Sequence, residues 1–322
     1  MDWQQELRDA VRDPQELARM LGLEPSQLPA LPHEGFPFLV PRAYAGRMEP
    51  GNPRDPLLLQ VWPDARESIL DAQERLDPVG DGAARAAEGL LHKYRGRVLL
   101  VTTGACAVHC RYCFRQNYPY RDEPHALEAW RPALAHVAGD ASIHEVLLSG
   151  GDPLTLPDAV LSRLVAQIEA VPHVRTLRIH TRLPVVLPAR IIEEFCRILS
   201  NSRLRAVVVL HANHARELGA DVAEACARLR SHGVTLLNQS VLLAGVNDRA
   251  DALEELSHGL WAVGVLPYYL HVLDAVKGSR RFAVADSEAV GLVEELRLRL
   301  PGYLVPRLVR ELEGEASKTR LA

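Results

Sequence analysis

The sequence predicts an α/β protein in which a parallel sheet closes into a barrel or partial barrel behind an N-terminal helical cap. Three observations carry this. Six short apolar, β-branched runs (RVLLVTT, HEVLLSG, TLRIHT, LRAVVVLH, VTLLNQSV and VLPYYLHV) follow one another along the chain. Longer amphipathic stretches such as LPDAVLSRLVAQIEAV and DVAEACARLRSHG intervene, and parallel neighbours need a helical crossover. Nearly every run ends in polar or glycine-bearing residues (TTGAC, SGGDP, HTRLP, HANH, NQS, HVLD), at the carboxyl edge where such sheets place their sites.

Taken in order, residues 1–95 read as helical segments broken by the proline-rich connectors LPALPHEGFPFLVP and EPGNPRDPLL, because proline fixes φ and interrupts helices. This is the expected cap. Residues 96–300 hold the sheet and its helices, and residues 301–322 form a short C-terminal segment. With 322 residues, 48% of them hydrophobic, the chain can bury a sizeable core. A formal charge of -4 provides no global attraction to nucleic acid or an anionic membrane. The opening MDWQQELRDAVRD lacks a basic n-region and an apolar h-region, and no later stretch approaches the ~20 apolar residues of a membrane span. A cytoplasmic location is therefore expected. There is no internal repeat and no low-complexity tract.

Three of the five cysteines, Cys106, Cys110 and Cys113, fall in GACAVHCRYCFRQNYPYR with gaps of three and two residues. In a reducing compartment such clustering points to metal or redox chemistry rather than disulfides. Just past the first strand, three thiolates can hold three irons of a [4Fe-4S] cluster and leave the fourth iron open. Structural zinc would want a fourth protein ligand, and His109 would have to supply it from the same tight loop. The plain alternative is a chance grouping of small buried residues. Cys196 and Cys226 lie on helix-like stretches and read as core.

The Cys-x3-Cys-x2-Cys spacing, with Tyr112 just before the last cysteine, resembles the radical S-adenosylmethionine enzymes, whose open iron chelates the amino and carboxylate groups of S-adenosyl-L-methionine. SGGDPL, with Ser149, Gly150, Gly151 and Asp152, resembles the glycine-rich segment that ends their second strand and holds the methionine amino group. LLHKYRGRVLLV, CRYCFRQ, RIHTRLPVVLPARI, LHANHARE, LLNQSVLLAGVND, YYLHVLD and GYLVPRLVRE...SKT are similar to the lysine 2,3-aminomutases and cover most of residues 90–319. Within that family the chain most resembles the branch that makes β-lysine for elongation factor P. The resemblance implies a partial (β/α)6 barrel of the radical S-adenosylmethionine type, with a C-terminal lysine that carries pyridoxal 5'-phosphate.

The matching residue for that lysine is Lys318, in GEASKT. Tyr94 and Arg97 fall on positions that contact pyridoxal phosphate. Arg115 matches the arginine that grips the substrate α-carboxylate, a task suited to a planar donor fork. Asp274 and Glu311 occupy the two positions where free-lysine aminomutases carry aspartates for the ε-ammonium, so one acid is kept and the other lengthened by a methylene. His211 and Gln239 are expected to touch S-adenosylmethionine or pyridoxal phosphate, a satisfied core histidine being the alternative for His211. The implied reaction converts (S)-α-lysine to (R)-β-lysine. The reduced cluster cleaves S-adenosylmethionine, the resulting radical takes a hydrogen from the lysine β-carbon, and nitrogen moves from Cα to Cβ.

A reductant protein for the cluster is implied, as is a functional link to the ligase that attaches β-lysine to elongation factor P. No cysteine follows Cys226, so the interfacial zinc of the catabolic enzymes is not expected. The oligomeric state stays open, a homo-oligomer included. Three readings stand at this point: the aminomutase, for elongation factor P or for another pathway; a radical enzyme acting on a different amino acid; and a non-catalytic iron-sulfur protein.

Overall fold

A strand turns alternate side chains to opposite faces, and here that alternation sorts apolar residues outward, under the helices, from polar residues inward. The computed structural model describes residues 2–33, 35–69, 71–123 and 127–322. Its single sheet runs in chain order: β1 (Arg85–Ala87), β2 (Leu90–Tyr94), β3 (Arg97–Val101), β4 (Glu145–Ser149), β5 (Thr176–Thr181), β6 (Arg205–Leu210), β7 (Thr235–Val241), β8 (Leu266–His271), β9 (Arg307–Arg310) and β10 (Thr319–Arg320). Strands β3 to β9 are parallel, while β1, β2 and β10 pair antiparallel at the two ends. Leu100, Leu148, Ile179, Val208 and Leu236 stand in one row across β3 to β7, all buried. Each such side chain contributes roughly 1.5–3 kcal/mol by burial. A one-residue slip would expose the whole row, so the row sets the register.

The six expected strands are β3 to β8. The structure adds β9, a seventh parallel strand, and two edge hairpins. The sheet stays open, since β1 and β10 end it without pairing to each other; of the two expected closures, the complete barrel is not formed. It nevertheless curls strongly. Lys93 on β2 reaches Glu311, just past β9, at 2.8 Å. Crossover helices Arg131–Gly139, Asp158–Glu169, Glu193–Ser200, Ala220–Ser231, Ala250–Ala262 and Asp286–Arg299 cover the outer face.

The N-terminal region wraps this sheet rather than standing apart from it. One hydrophobic cluster runs from Trp3, Leu17 and Tyr44 through Leu100 and Leu148 to Val265. Residue 95 falls in the turn between β2 and β3, so β1 and β2 belong to the same sheet as the core. No described helix is long and apolar enough to cross a membrane.

Candidate active site

The inward-facing residues of the curled sheet, with the loops after its strands, enclose a cavity of about 420 Å³. All fifteen candidate residues line it: Tyr94, Arg97, Cys106, Cys110, Cys113, Arg115, Ser149, Gly150, Gly151, Asp152, His211, Gln239, Asp274, Glu311 and Lys318. They come from positions 94 to 318 of the 322-residue chain. The parallel topology delivers the carboxyl ends of β3 to β9 to one rim, while Tyr94 and Arg97 reach the cavity from the β2–β3 turn at the other end of the sheet.

The three cysteines follow β3 in a loop held from outside by the cap. His109 donates its backbone N–H to the Leu39 carbonyl, and Arg111 donates to the carbonyls of Phe36 and Pro37 while pairing with Glu67. None of the three cysteines is in a disulfide. Burial pushes the Cys113 thiol up to about 12 and Cys106 well above the ordinary range, so both hold their protons in water, and metal binding there would release them. Among the described residues no three His, Cys, Asp or Glu side chains meet around a single ion position. The loop faces Gly150 and Gly151. A Cβ on Gly151 would stand 2.3 Å from the Ala105 carbonyl oxygen, and one on Gly150, at φ +124, would stand 2.6 Å from that of Thr103. The glycines thus let the loop after β4 lie directly against the cysteine loop, a cradle of backbone that a side chain would fill. These donors suit a [4Fe-4S] cluster and the amino group of a ligand on its open iron.

Asp152 stabilises this cradle from behind. Its carboxylate accepts from Thr181 Oγ1 at 2.7 Å, from the Arg182 backbone N–H at 2.7 Å and from the Leu154 backbone N–H at 3.1 Å. Burial pushes it up to about 6 in spite of those donors. Its geometry is that of a clamp between the ends of β4 and β5. Gln239 donates from Nε2 to His211 Nε2 at 2.9 Å. Burial, together with the charges of Arg182 and Arg115, lowers His211 to about 3, so its imidazole is neutral.

On the opposite wall, charges alternate in a chain that joins five side chains. Arg115 Nε donates to Asp81 at 2.7 Å, Lys93 pairs with Asp81 at 2.7 Å and with Glu311 at 2.8 Å, and Lys318 pairs with the other oxygen of Glu311. Burial would raise Glu311, but the two ammonium groups outweigh it and hold the carboxyl down at about 2. Arg115 also donates from Nη1 to Ser149 Oγ at 3.0 Å. Asp81 and Lys93 were not among the expected site residues. Asp81 sits in VGDG, which reads as a turn, and Lys93 carries only the weak signal of a polar residue beside Tyr94 on a strand.

Asp274 differs from Glu311. Among the described residues no cation pairs with it; burial, then the Glu311 charge, pushes its carboxyl up to about 7. Arg97 lies over the Tyr94 ring at 4.5 Å and has no carboxylate partner among the described residues. An unpaired guanidinium and a lysine amine in one cavity suit the phosphate and the aldehyde carbon of pyridoxal phosphate. Lys318 is no solvated tail residue. The next two residues form β10 against β9, and Leu321 donates its N–H to the Leu308 carbonyl at 3.0 Å.

Residues 100–256 match the model of the Radical SAM superfamily. The chain is 46% identical to the L-lysine 2,3-aminomutase of Escherichia coli K12, over 99% of this chain and 94% of that one. It is 44% identical to the Haemophilus influenzae Rd protein of the same name, over 100% and 96%. Identity to the Clostridium subterminale protein of that name is 32%, over 99% and 77%.

Proposed function

Because this chain belongs to the L-lysine 2,3-aminomutase family of radical S-adenosylmethionine enzymes, we propose that it is the isomerase that converts (S)-α-lysine into (R)-β-lysine. We further propose pyridoxal phosphate on Lys318 as its second cofactor, and attachment of the product to elongation factor P as its purpose. One observation carries the reaction: the three cysteines, Lys318, an arginine with open donors and an unpaired carboxylate all face one cavity. The bound groups would supply a hydrogen-abstracting radical and a carrier for the migrating nitrogen. The protein's residues bind, orient and exclude water.

Arg115 is fixed by Asp81 and Ser149 through Nε and Nη1, which leaves Nη2 for the substrate α-carboxylate. Asp274 receives the ε-ammonium. A carboxyl near 7 in a buried pocket lacks its cation, and a substrate ammonium supplies one. Glu311 is neutralised by Lys93 and Lys318, and it would share the ε-ammonium only where one of those two lysines withdrew. The same acids would repel the side-chain carboxylate of glutamate. The elongation factor P assignment is supported by the resemblance of residues 90–319 to that branch.

Anaerobic incubation with a reductant, S-adenosylmethionine, pyridoxal phosphate and single amino acids, followed by chiral product analysis, tests the activity. β-Lysine from lysine alone is expected, and a faster reaction with another amino acid would overturn the assignment. Loss of the lysyl mass increment on elongation factor P in a strain lacking this chain tests the purpose.

Two outcomes follow for the substrate contacts. Arg115→Lys keeps the charge but loses the planar fork, so a large fall in kcat/KM is expected with cluster and pyridoxal phosphate still bound. Near-wild-type kinetics would remove Arg115 from the carboxylate site. Asp274→Ala leaves the ε-ammonium without its main partner, at ~3–5 kcal/mol for a buried pair, so KM for lysine rises by about 10²- to 10⁴-fold. Below about pH 7 the wild-type Asp274 carboxyl is protonated and neutral. Wild-type kcat/KM therefore falls as pH drops through that value, and the variant loses this limb. A pH profile shared by variant and wild type would show that Asp274 does not bind the ammonium.

A further inference from the structure

Arg182, just past the end of β5, is buried, and the mechanism above does not use it. Its Nη2 donates to Glu217 Oε1 at 2.6 Å, to Gln60 Oε1 at 2.7 Å and to the Tyr44 hydroxyl at 3.2 Å. Those partners come from the N-terminal cap and from the loop after β6, and they satisfy one edge of the guanidinium. The remaining donors point elsewhere. Nη1 reaches Cys110 Sγ at 2.7 Å, and Nε is buried without a partner among the described residues. Tyr44 and Tyr112 stack on the group at 5.4 and 5.6 Å from their ring centres, and its backbone N–H is held by Asp152.

A buried Arg–carboxylate pair is weak evidence of stabilisation, because desolvation offsets most of the attraction. Here the pair does something more specific: Glu217, Gln60 and Tyr44 hold a cation against one sulfur of the cysteine loop. Hydrogen bonds and positive charge at a cluster's sulfurs favour its reduced, more negative form. We propose that Arg182 is a positioning residue for the iron-sulfur cluster, donating to the Cys110 sulfur and thereby raising the cluster's reduction potential, with Glu217 as the counter-charge that sets how far. The cluster gains one electron from a low-potential one-electron donor, and Arg182 makes that gain easier.

The proposal rests on the radical S-adenosylmethionine reading, and one experiment separates the two. Wild type, Arg182→Met and Glu217→Gln are reconstituted anaerobically, their iron and sulfide content is measured, and the cluster is titrated by electron paramagnetic resonance without S-adenosylmethionine. Absence of a four-iron cluster from the wild type would overturn the family reading itself. With the cluster present, Arg182→Met is expected to lower the reduced-to-oxidised ratio at a fixed potential about tenfold, which for one electron is a shift of about 59 mV. Glu217→Gln is expected to shift the potential the opposite way. If Arg182→Met does not retain its cluster, Glu217→Gln decides alone, since it leaves the arginine in place. An unchanged or lowered potential in Glu217→Gln, or an unchanged one in a cluster-loaded Arg182→Met, overturns the proposal.

Discussion

Replacing Cys110 with alanine is expected to remove the cluster and with it all turnover, while Cys196→Ala and Cys226→Ala keep both. The difference is one of position rather than chemistry. Cys110 stands in the loop after β3, on the cavity wall with Cys106 and Cys113; each can ligate one iron, and among the described residues no fourth cysteine lines the cavity to replace a lost one. Cys196 and Cys226 are fully buried in helices Glu193–Ser200 and Ala220–Ser231, against the outer face of the sheet. Truncating either removes one sulfur from a packed core, a loss on the order of 1 kcal/mol or somewhat more that leaves the fold intact. Iron and sulfide analysis of the three purified variants, beside turnover, checks this. An intact, active cluster in Cys110→Ala would sink the cluster assignment.

The second large effect is at the other end of the chain. Lys318→Ala is expected to abolish covalent attachment of pyridoxal phosphate and all turnover, even though Lys93 lies on the same wall. Lys93 cannot substitute. Its ammonium donates to the Val79 carbonyl at 2.8 Å and pairs with both Asp81 and Glu311. Burial disfavours that charge, but the two carboxylates outweigh it and raise the group above the ordinary lysine value. An amine held protonated between two carboxylates is no nucleophile, whereas Lys318 meets one carboxylate that Lys93 already shares. Borohydride reduction of the loaded proteins followed by peptide mapping distinguishes the two amines: a pyridoxyl group on the Lys318 peptide in the wild type, and none anywhere in Lys318→Ala. A pyridoxyl group on Lys93 in the variant would show that the charge chain does not lock that amine, and retained turnover would remove Lys318 from the reaction.

Local patterns made part of this legible. Strands β3 to β8 could be read because each alternates or runs apolar over five to seven residues and ends in turn-forming residues. The edge hairpins could not. β1 and β10 are two or three residues long, too short for a period to show, and β9 follows a proline in a stretch whose charges resemble a helix surface. The cysteine loop was visible because its three ligands lie within eight consecutive positions. The charge chain was not, since Asp81, Lys93, Arg115, Glu311 and Lys318 are joined across as many as 218 positions.

The sequence by itself determined the α/β class, the order of the parallel strands, the cysteine triad and the edge of the sheet on which the site lies. These rest on residue spacing, and spacing survives in one dimension. Only the tertiary structure decided that the sheet stays open, that Lys318 is pinned inward by β10, that Glu311 is already occupied by two lysines while Asp274 is not, and that Arg182 faces Cys110. Each of those depends on which charges become neighbours once the sheet curls. A buried ionisable group takes its state from the few charges within several ångströms, and only the fold sets those distances.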